Sequence, residues 1–135
     1  QKIMLEFKKS ELESVLLTIC AFSAPKEGEV QKMIGGLLTE NLTLGDKRRL
    51  QKQHKKVSEL YKEFIEDFKE TQKDCVIGEN DKGEPTYDME KLEKEVQELL
   101  NEVVKIDAEP ARLSEIEKIS SSNNYNFDII EKIAV

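Results

Sequence analysis

The chain has 135 residues, of which 38% are hydrophobic and 36% are charged, and its net charge is −7. This length and balance predict one domain with a thin, elongated core and charged, solvent-rimmed helices. The excess of acid argues against broad binding to nucleic acid or to anionic membranes, since both need a positive surface. The sequence has no run of 18 apolar residues and no signal-peptide pattern, so we expect a protein that is cytosolic or assembled from the cytosol.

The first part of the chain predicts a strand followed by a helix. Apolar and polar residues alternate over residues 3–7, which is typical of a half-buried strand. Ser10 opens a capping box with Glu13, in which the two side chains satisfy backbone donors of a first helical turn. We therefore expect the first helix at residues 11–22.

A second helix is predicted for residues 27–40. Its apolar residues recur at helical spacing and consist of Val30, Met33, Ile34, Leu37 and Leu38. Gly35 and Gly36 lie in the middle of this pattern and together lower its helix propensity by about 1–2 kcal/mol. We expect another backbone to approach closely at this pair, with a kink or hinge as the alternative.

The longest predicted helix covers residues 44–76, with Thr43 or Asp46 as its cap. It carries a heptad-like apolar seam made of Leu50, His54, Val57, Tyr61, Phe64, Phe68, Thr71 and Cys75. After a turn-rich loop, Asp88 can cap a helix at residues 89–103, whose own seam is Met89, Leu92, Val96, Leu99 and Val103. We predict that the two form an antiparallel, coiled-coil-like hairpin. Because the second arm is shorter, the first half of the long helix needs cover from elsewhere.

The rest of the chain completes the predicted fold. Residues 103–108 alternate between apolar and polar types and predict a second strand, which pairs with residues 3–7. The fold class is mainly α: a helical bundle built on the hairpin, with a small two-stranded sheet. We divide the chain into a helical-hairpin domain at 1–119, a flexible connector at 120–124 and a C-terminal docking helix at 125–135. That helix docks either on its own chain or on a neighbouring subunit.

The sequence carries no catalytic signature. The single histidine, His54, falls on the apolar seam, while Cys20 and Cys75 fall at apolar positions where we expect reduced core residues. There is no second histidine for a zinc site, no nucleophile system independent of His54 and no glycine-rich phosphate loop. We predict a protein that is not an enzyme and that uses no metal and no cofactor.

Two stretches are candidates for binding a partner. Residues 47–56 contain six basic residues and no acid, and the candidate binding residues among them are Arg48, Arg49, Lys52, Lys55 and Lys56. Such a run forms either a solvated helix face or a docking patch for an acidic partner or a phosphate backbone. The C-terminal helix adds three further candidates, Tyr125, Phe127 and Ile130, which are suited to contact a neighbouring subunit.

Several parts of the chain occur in a recognisable order. They are the N-terminal strand, a first helix, the charged long helix, the loop Asn-Asp-Lys-Gly-Glu-Pro at residues 80–85, and the helix end Glu-Leu-Leu-Asn-Glu-Val at 98–103 before an alternating strand. This order resembles a loosely defined family of small, uncharacterised tailed-phage proteins over residues 1–118. The resemblance implies a phage origin and a role in binding, and it assigns no functional residues.

Three functional hypotheses follow from these features. The first is a non-enzymatic bacteriophage protein that acts through protein–protein interaction in virion structure or assembly. It would bind itself or other phage proteins, as an oligomer or complex component in the host cytoplasm or the virion. The second is a small acidic inhibitor of a host defence enzyme, with the acids of residues 90–102 imitating phosphate. The third, which the net charge disfavours, is a nucleic-acid binder that uses the patch at residues 47–56.

Overall fold

The computed structural model describes residues 4–135. Five α-helices are present in this range: α1 (Leu12–Ile19), α2 (Leu44–Asp74), α3 (Met89–Asn101), α4 (Leu113–Glu117) and α5 (Phe127–Ile133). Six short strands form three antiparallel pairs: β1 (Met4–Lys8) with β6 (Val103–Asp107), β2 (Ala21–Phe22) with β3 (Met33–Gly35), and β4 (Val76–Glu79) with β5 (Pro85–Tyr87).

Helix α2 is the longest element, as predicted, although it ends at Asp74, two residues before the predicted end. The Thr43 hydroxyl accepts the backbone N–H of Asp46 at 3.3 Å, which caps the first turn. The predicted seam faces the interior, since Leu50 and Val57 are completely buried and Tyr61, Phe64 and Phe68 are half-buried. α1, β6 and the 3₁₀ turn Leu37–Thr39 pack against α2. The first half of α2 is therefore covered within the chain.

Helix α3 returns along the second half of α2. The Asp88 side chain caps α3, as predicted, by accepting the backbone N–H of Lys91 at 3.2 Å. Near its other end, the ammonium of Lys9 lies between Glu102 at 2.6 Å and Asp67 at 3.7 Å. Of the predicted α3 seam, Leu99 is buried while Met89 is 56% exposed. The chain thus folds back antiparallel, but a continuous coiled-coil seam is not confirmed, and a β4–β5 hairpin occupies the predicted loop.

The predicted two-stranded sheet is confirmed. β1 pairs with β6 in the register Leu5 opposite Ile106 and Phe7 opposite Val104. Leu5, Phe7 and Ile106 are buried, so the inner face of this sheet closes one side of the core. Ile3, with which the predicted strand began, lies outside the described residues.

The prediction of a helix at residues 27–40 is wrong. This segment contains β3 and the 3₁₀ turn Leu37–Thr39, and β3 pairs with β2 in a short ribbon. Gly36 has φ +95°, and a Cβ atom built on it would lie 2.7 Å from the Cα of Cys20. The expected close approach of another backbone is therefore confirmed at Gly36, but at the junction of a ribbon and a 3₁₀ turn rather than inside a helix.

The first helix is shorter than predicted and is capped differently. It ends at Ile19, because Ala21 and Phe22 already belong to β2. The expected capping box at Ser10 is wrong, since a 3₁₀ turn, Lys9–Glu11, precedes the helix. In that turn the carboxylate of Glu11 accepts the backbone N–H of Lys8 at 2.8 Å.

The C-terminal segment docks on its own chain. Three isoleucines of α5 are buried in the common core: Ile129, Ile130 and Ile133. Backbone bonds join the segment to residues 111–113, with Ala111 N–H donating to the Ile133 carbonyl at 2.9 Å and Val135 N–H donating to the Ala111 carbonyl at 3.0 Å. From α2, the buried amide of Gln53 donates to the carbonyls of Glu109 at 2.9 Å and Ile133 at 3.0 Å.

The stretch predicted as a flexible connector is held to the body of the protein. Residues Ser122–Asn124 form a 3₁₀ turn. On either side of it, the hydroxyls of Ser121 and Tyr125 both donate to one carboxylate oxygen of Glu40, at 2.5 Å and 2.7 Å. These two hydrogen bonds link the residues on either side of the turn to the segment that precedes α2.

Candidate functional site

The exposed face of α2 carries a line of charged residues that changes sign once along the helix. Steps of three and four residues place side chains on one face of an α-helix. We call this line the two-signed stripe, and it consists of Arg48, Lys52, Lys56, Glu59, Glu63, Glu66, Glu70 and Asp74, all of them exposed. The first three form its basic end, and the remaining five form its acidic end.

The basic end is largely unpaired. Within residues 4–135, Arg48 and Lys52 make no hydrogen bond or ion pair, and the same holds for the exposed neighbour Lys55. The ammonium of Lys56 donates to the backbone carbonyl of Asp107, which ties this turn of α2 to β6. A depression of about 410 Å³ lies between residues 107–109 and the side chains of Arg48, Arg49, Lys52 and Lys56.

Arg49, although predicted with the others, is used inside the protein. Its guanidinium contacts Asp46 at 3.1 Å and the carboxylate of Glu109 at 3.3 Å. Two acidic partners leave little of its charge for an external ligand. The structure therefore brings four of the five predicted basic residues to one surface and turns Arg49 to a structural role.

Asp46 fixes the position of this end of α2. Its side chain is completely buried and accepts the backbone N–H of Arg112 at 3.1 Å, the Arg112 guanidinium at 3.1 Å and the Thr43 hydroxyl at 2.9 Å. Burial alone would raise the pKa of Asp46, but the hydrogen bonds from Arg112 and Thr43 outweigh burial and hold that pKa below its usual value. The carboxylate stays charged and anchors the first turn of α2 to the segment before α4.

The acidic end continues into a strongly acidic arm. Residues 59–102 contain fifteen acidic and six basic residues, a net charge of −9, whereas the ten residues 47–56 carry +6. Helix α2 has 31 residues and at 1.5 Å per residue is about 46 Å long. Within α2, the basic and acidic ends of the stripe are thus held apart on one helix.

The three predicted residues of the C-terminal segment have different surroundings. Ile130 is 3% exposed and belongs to the protein's own core, so it offers no surface to a partner. Tyr125 is bonded to Glu40, and burial together with that carboxylate raises the pKa of its phenol to about 12. Phe127, which is 53% exposed, is the one of the three that faces solvent.

The remaining reactive side chains are shielded. His54 packs edge-on against Phe22, with ring centroids 6.5 Å apart, and burial lowers its pKa. Cys20 and Cys75 are free and buried, and burial raises the pKa of both thiols. Thiols with raised pKa are poor nucleophiles at neutral pH.

Residues 4–135 contain neither a metal-ion cluster nor a membrane-spanning helix. No group of three or more His, Cys, Asp or Glu side chains in this range is arranged to hold a metal ion. Within the same residues, every helix is too short or too polar to cross a bilayer.

This chain matches no protein-family model, no curated protein and no solved structure. The two-signed stripe must therefore be interpreted from its own chemistry. Its signal is present in the sequence as a basic run at residues 47–56 followed by an acid-rich run at residues 59–70. The two runs share one exposed face because the apolar seam of α2 faces the interior of the protein.

Proposed function

We propose that this chain is a non-enzymatic protein that acts by binding another protein through the two-signed stripe of α2. The observation that carries the proposal is the single change of sign on one rigid, exposed helix face. Two opposite charges at a fixed separation recognise a surface with the reverse order of charges, and they set its orientation. The proposed role is structural or adaptor-like.

The acidic end makes a protein a better partner than a nucleic acid. The four cations Arg48, Lys52, Lys55 and Lys56 suit a phosphate backbone, but Glu59 follows them by a single helical turn. A nucleic acid that extended along α2 would meet five carboxylates, and their repulsion would limit it to a short contact. A protein surface can present both signs.

The cellular setting that we propose is that of a bacteriophage protein in the host cytoplasm or the virion. It is supported by the resemblance in the order of elements to small tailed-phage proteins and by the absence of a catalytic signature in the sequence. In that setting the protein would contribute to virion structure or assembly, bound to itself or to other phage proteins.

Site-specific photo-crosslinking tests the proposal. A photoreactive amino acid replaces Gln51, which is exposed beside Lys52, and in a matched control it replaces Gln31, which is exposed in the loop before β3. In cells that express the protein, we expect protein adducts from position 51 only. The adducts should disappear when Arg48→Glu and Lys52→Glu are added. Equal adducts from both positions, or adducts with nucleic acid, would contradict the proposal.

A second function is favoured by the surface of α3. Three of its carboxylates are exposed, those of Glu90, Glu93 and Glu98, and the exposed carboxylate of Glu102 follows at the C-cap, where it pairs with Lys9. Such a row can imitate the phosphates of a nucleic acid, as in a small acidic inhibitor of a host defence enzyme. Inhibition of a nuclease that is relieved by added DNA, and lost when the four acids are changed to Gln, would favour this function over the first.

A further inference from the structure

We infer that the surface which fits the two-signed stripe is the same stripe on a second copy of this chain, lying antiparallel to the first. The inference rests on the proposed function and names its partner. In an antiparallel arrangement, the basic end of each copy lies against the acidic end of the other. In a parallel arrangement, each end would meet its own sign.

The spacing of the charges defines one register. With the two-fold axis at Glu59, paired positions have residue numbers that add up to about 118. Arg48 then faces Glu70 of the second copy, Lys52 faces Glu66, and Lys56 faces Glu63. The symmetry generates each pair twice. An interface of this kind uses the same patch on both copies and closes without leaving a free end.

These side chains are exposed and can therefore form ion pairs with a second copy. The six residues concerned are exposed, and five of them make no hydrogen bond or ion pair within residues 4–135, the exception being Lys56. Rotation by 100° per residue places Lys62, Lys69 and Lys73 along one side of the stripe rather than on it. They do not oppose the three basic residues of the second copy in this register.

The same chemistry predicts a weak and salt-sensitive dimer. Exposed ion pairs contribute little each, and the stripe has no apolar residue to bury. Glu59 meets its own symmetry mate at the axis, which is a repulsive contact. Charge pairs of this kind fix orientation and register more than they add affinity, so we expect association at low ionic strength that salt abolishes.

Sedimentation velocity on the intact chain tests the inference. We expect concentration-dependent dimers at about 10 mM salt, where the Debye length is about 30 Å, and monomers at about 1 M salt, where it is about 3 Å. A strict monomer at low salt and high protein concentration would overturn the inference. So would a dimer that is indifferent to salt.

Charge inversion provides the matched variants. The triple change Arg48→Glu, Lys52→Glu, Lys56→Glu makes the stripe wholly acidic, and Glu63→Lys, Glu66→Lys, Glu70→Lys makes most of it basic. We expect each to raise the dissociation constant of the homodimer by at least about tenfold. Both triples in one chain restore opposite charges in the antiparallel register, and we expect that chain to dimerise with itself. A combined variant that stays monomeric while retaining its helical circular dichroism contradicts the inference.

Orientation is measured separately. A spin label at Gln51→Cys should give a distance between copies of about 26 Å in the antiparallel register, from a 1.5 Å rise per residue and an interhelical spacing of about 10 Å, against about 10 Å for parallel helices. The native cysteines are buried and leave position 51 as the labelled site. A short distance would overturn the inference.

The photo-crosslinks from position 51 separate the two proposals. An adduct of twice the chain mass supports self-pairing. An adduct with a different protein, in a chain that is monomeric at low salt, overturns self-pairing and leaves the proposed function standing. Adducts from neither position 51 nor position 31 would remove the proposed function itself.

Discussion

The environment of the Asp46 side chain is determined by a contact with a residue that is distant in sequence. It lies in the first turn of α2, where a carboxylate is favourable near the positive end of the helix dipole. The sequence offered Thr43 or Asp46 as the cap of α2, and the structure assigns capping to Thr43. What buries Asp46 is Arg112, 66 positions further along the chain, through both its backbone and its guanidinium. No local pattern in the sequence pairs these two residues.

We expect Asp46→Ala to destabilise the protein by about 3 kcal/mol, near the lower end of the cost of breaking a buried ion pair, because the Arg112 side chain is half-exposed. The change also leaves the Thr43 hydroxyl and Arg112 N–H without their acceptor. Urea unfolding followed by circular dichroism measures the effect. The control is Asp74→Ala, an exposed aspartate at the other end of α2, which should alter stability by less than about 0.5 kcal/mol.

The charge of Asp46 should also make the free energy of unfolding depend on pH. The folded-state pKa of Asp46 is lowered, so its charge stabilises the folded protein above the unfolded-state pKa of about 3.9. That contribution is lost as the pH falls through the folded-state pKa. The difference in unfolding free energy between the wild type and Asp46→Asn should be constant near neutral pH and shrink below about pH 4. A difference that grows on acidification would refute the assignment of a buried charge.

Among the elements, those with strong local signals were predicted and those set by tertiary contact were not. α2 and α3 were recognised from long apolar periodicity and from their caps, Thr43 and Asp88, and the β1–β6 pair from simple alternation. The helix predicted at residues 27–40 failed although its apolar spacing was helical. Val30 and Ile34, two of its supposed core positions, are 80% and 68% exposed. At Gly36 the backbone is not helical, and it lies close to the backbone of Cys20.

The two glycines at this ribbon should respond differently to the same substitution. Gly36→Ala places a side chain at φ +95° and 2.7 Å from the Cys20 backbone, and the backbone conformation alone should cost about 1–3 kcal/mol. Gly35→Ala has an ordinary φ, and its new Cβ would lie 3.8 Å from the Ala21 side chain, so we expect little change. Thermal unfolding of both variants measures the contrast. Equal effects would indicate a helix through this segment after all.

For the whole molecule, the separation of charge outweighs the net charge as a guide to behaviour. The net charge is −7, yet residues 47–56 hold +6 and residues 59–102 hold −9. Four of the five basic candidates, Arg48, Lys52, Lys55 and Lys56, are exposed. The sequence alone could not show that Arg49 would pair with Asp46 and Glu109, or that Ile130 would be buried. Both outcomes depend on how the C-terminal half of the chain packs around α2.

The proposed homodimer also predicts the direction in which a single substitution changes its affinity. Glu59→Gln removes the repulsive contact at the proposed two-fold axis, and it should tighten the dimer by about twofold to threefold at low salt. Glu131→Gln removes the same charge from an exposed position on α5, and it should have a smaller effect. Sedimentation equilibrium of both variants decides between a local effect at the axis and a general loss of repulsion. Equal tightening by the two would argue for the general effect.

The double hydrogen bond from the Gln53 amide has a consequence for slow dynamics. The Gln53 side chain of α2 donates to the main-chain carbonyls of Glu109 and Ile133, which are 24 positions apart. If α5 separated from the rest of the protein, this buried donor would lose an acceptor, which is unfavourable. The amide of Val135, bonded to Ala111, should therefore exchange with deuterium at a rate governed by global opening, with the same urea dependence as the amides of the buried turns around Leu50. Rapid exchange at Val135 beside slow exchange at Leu50 would mean that the last helix comes off by itself.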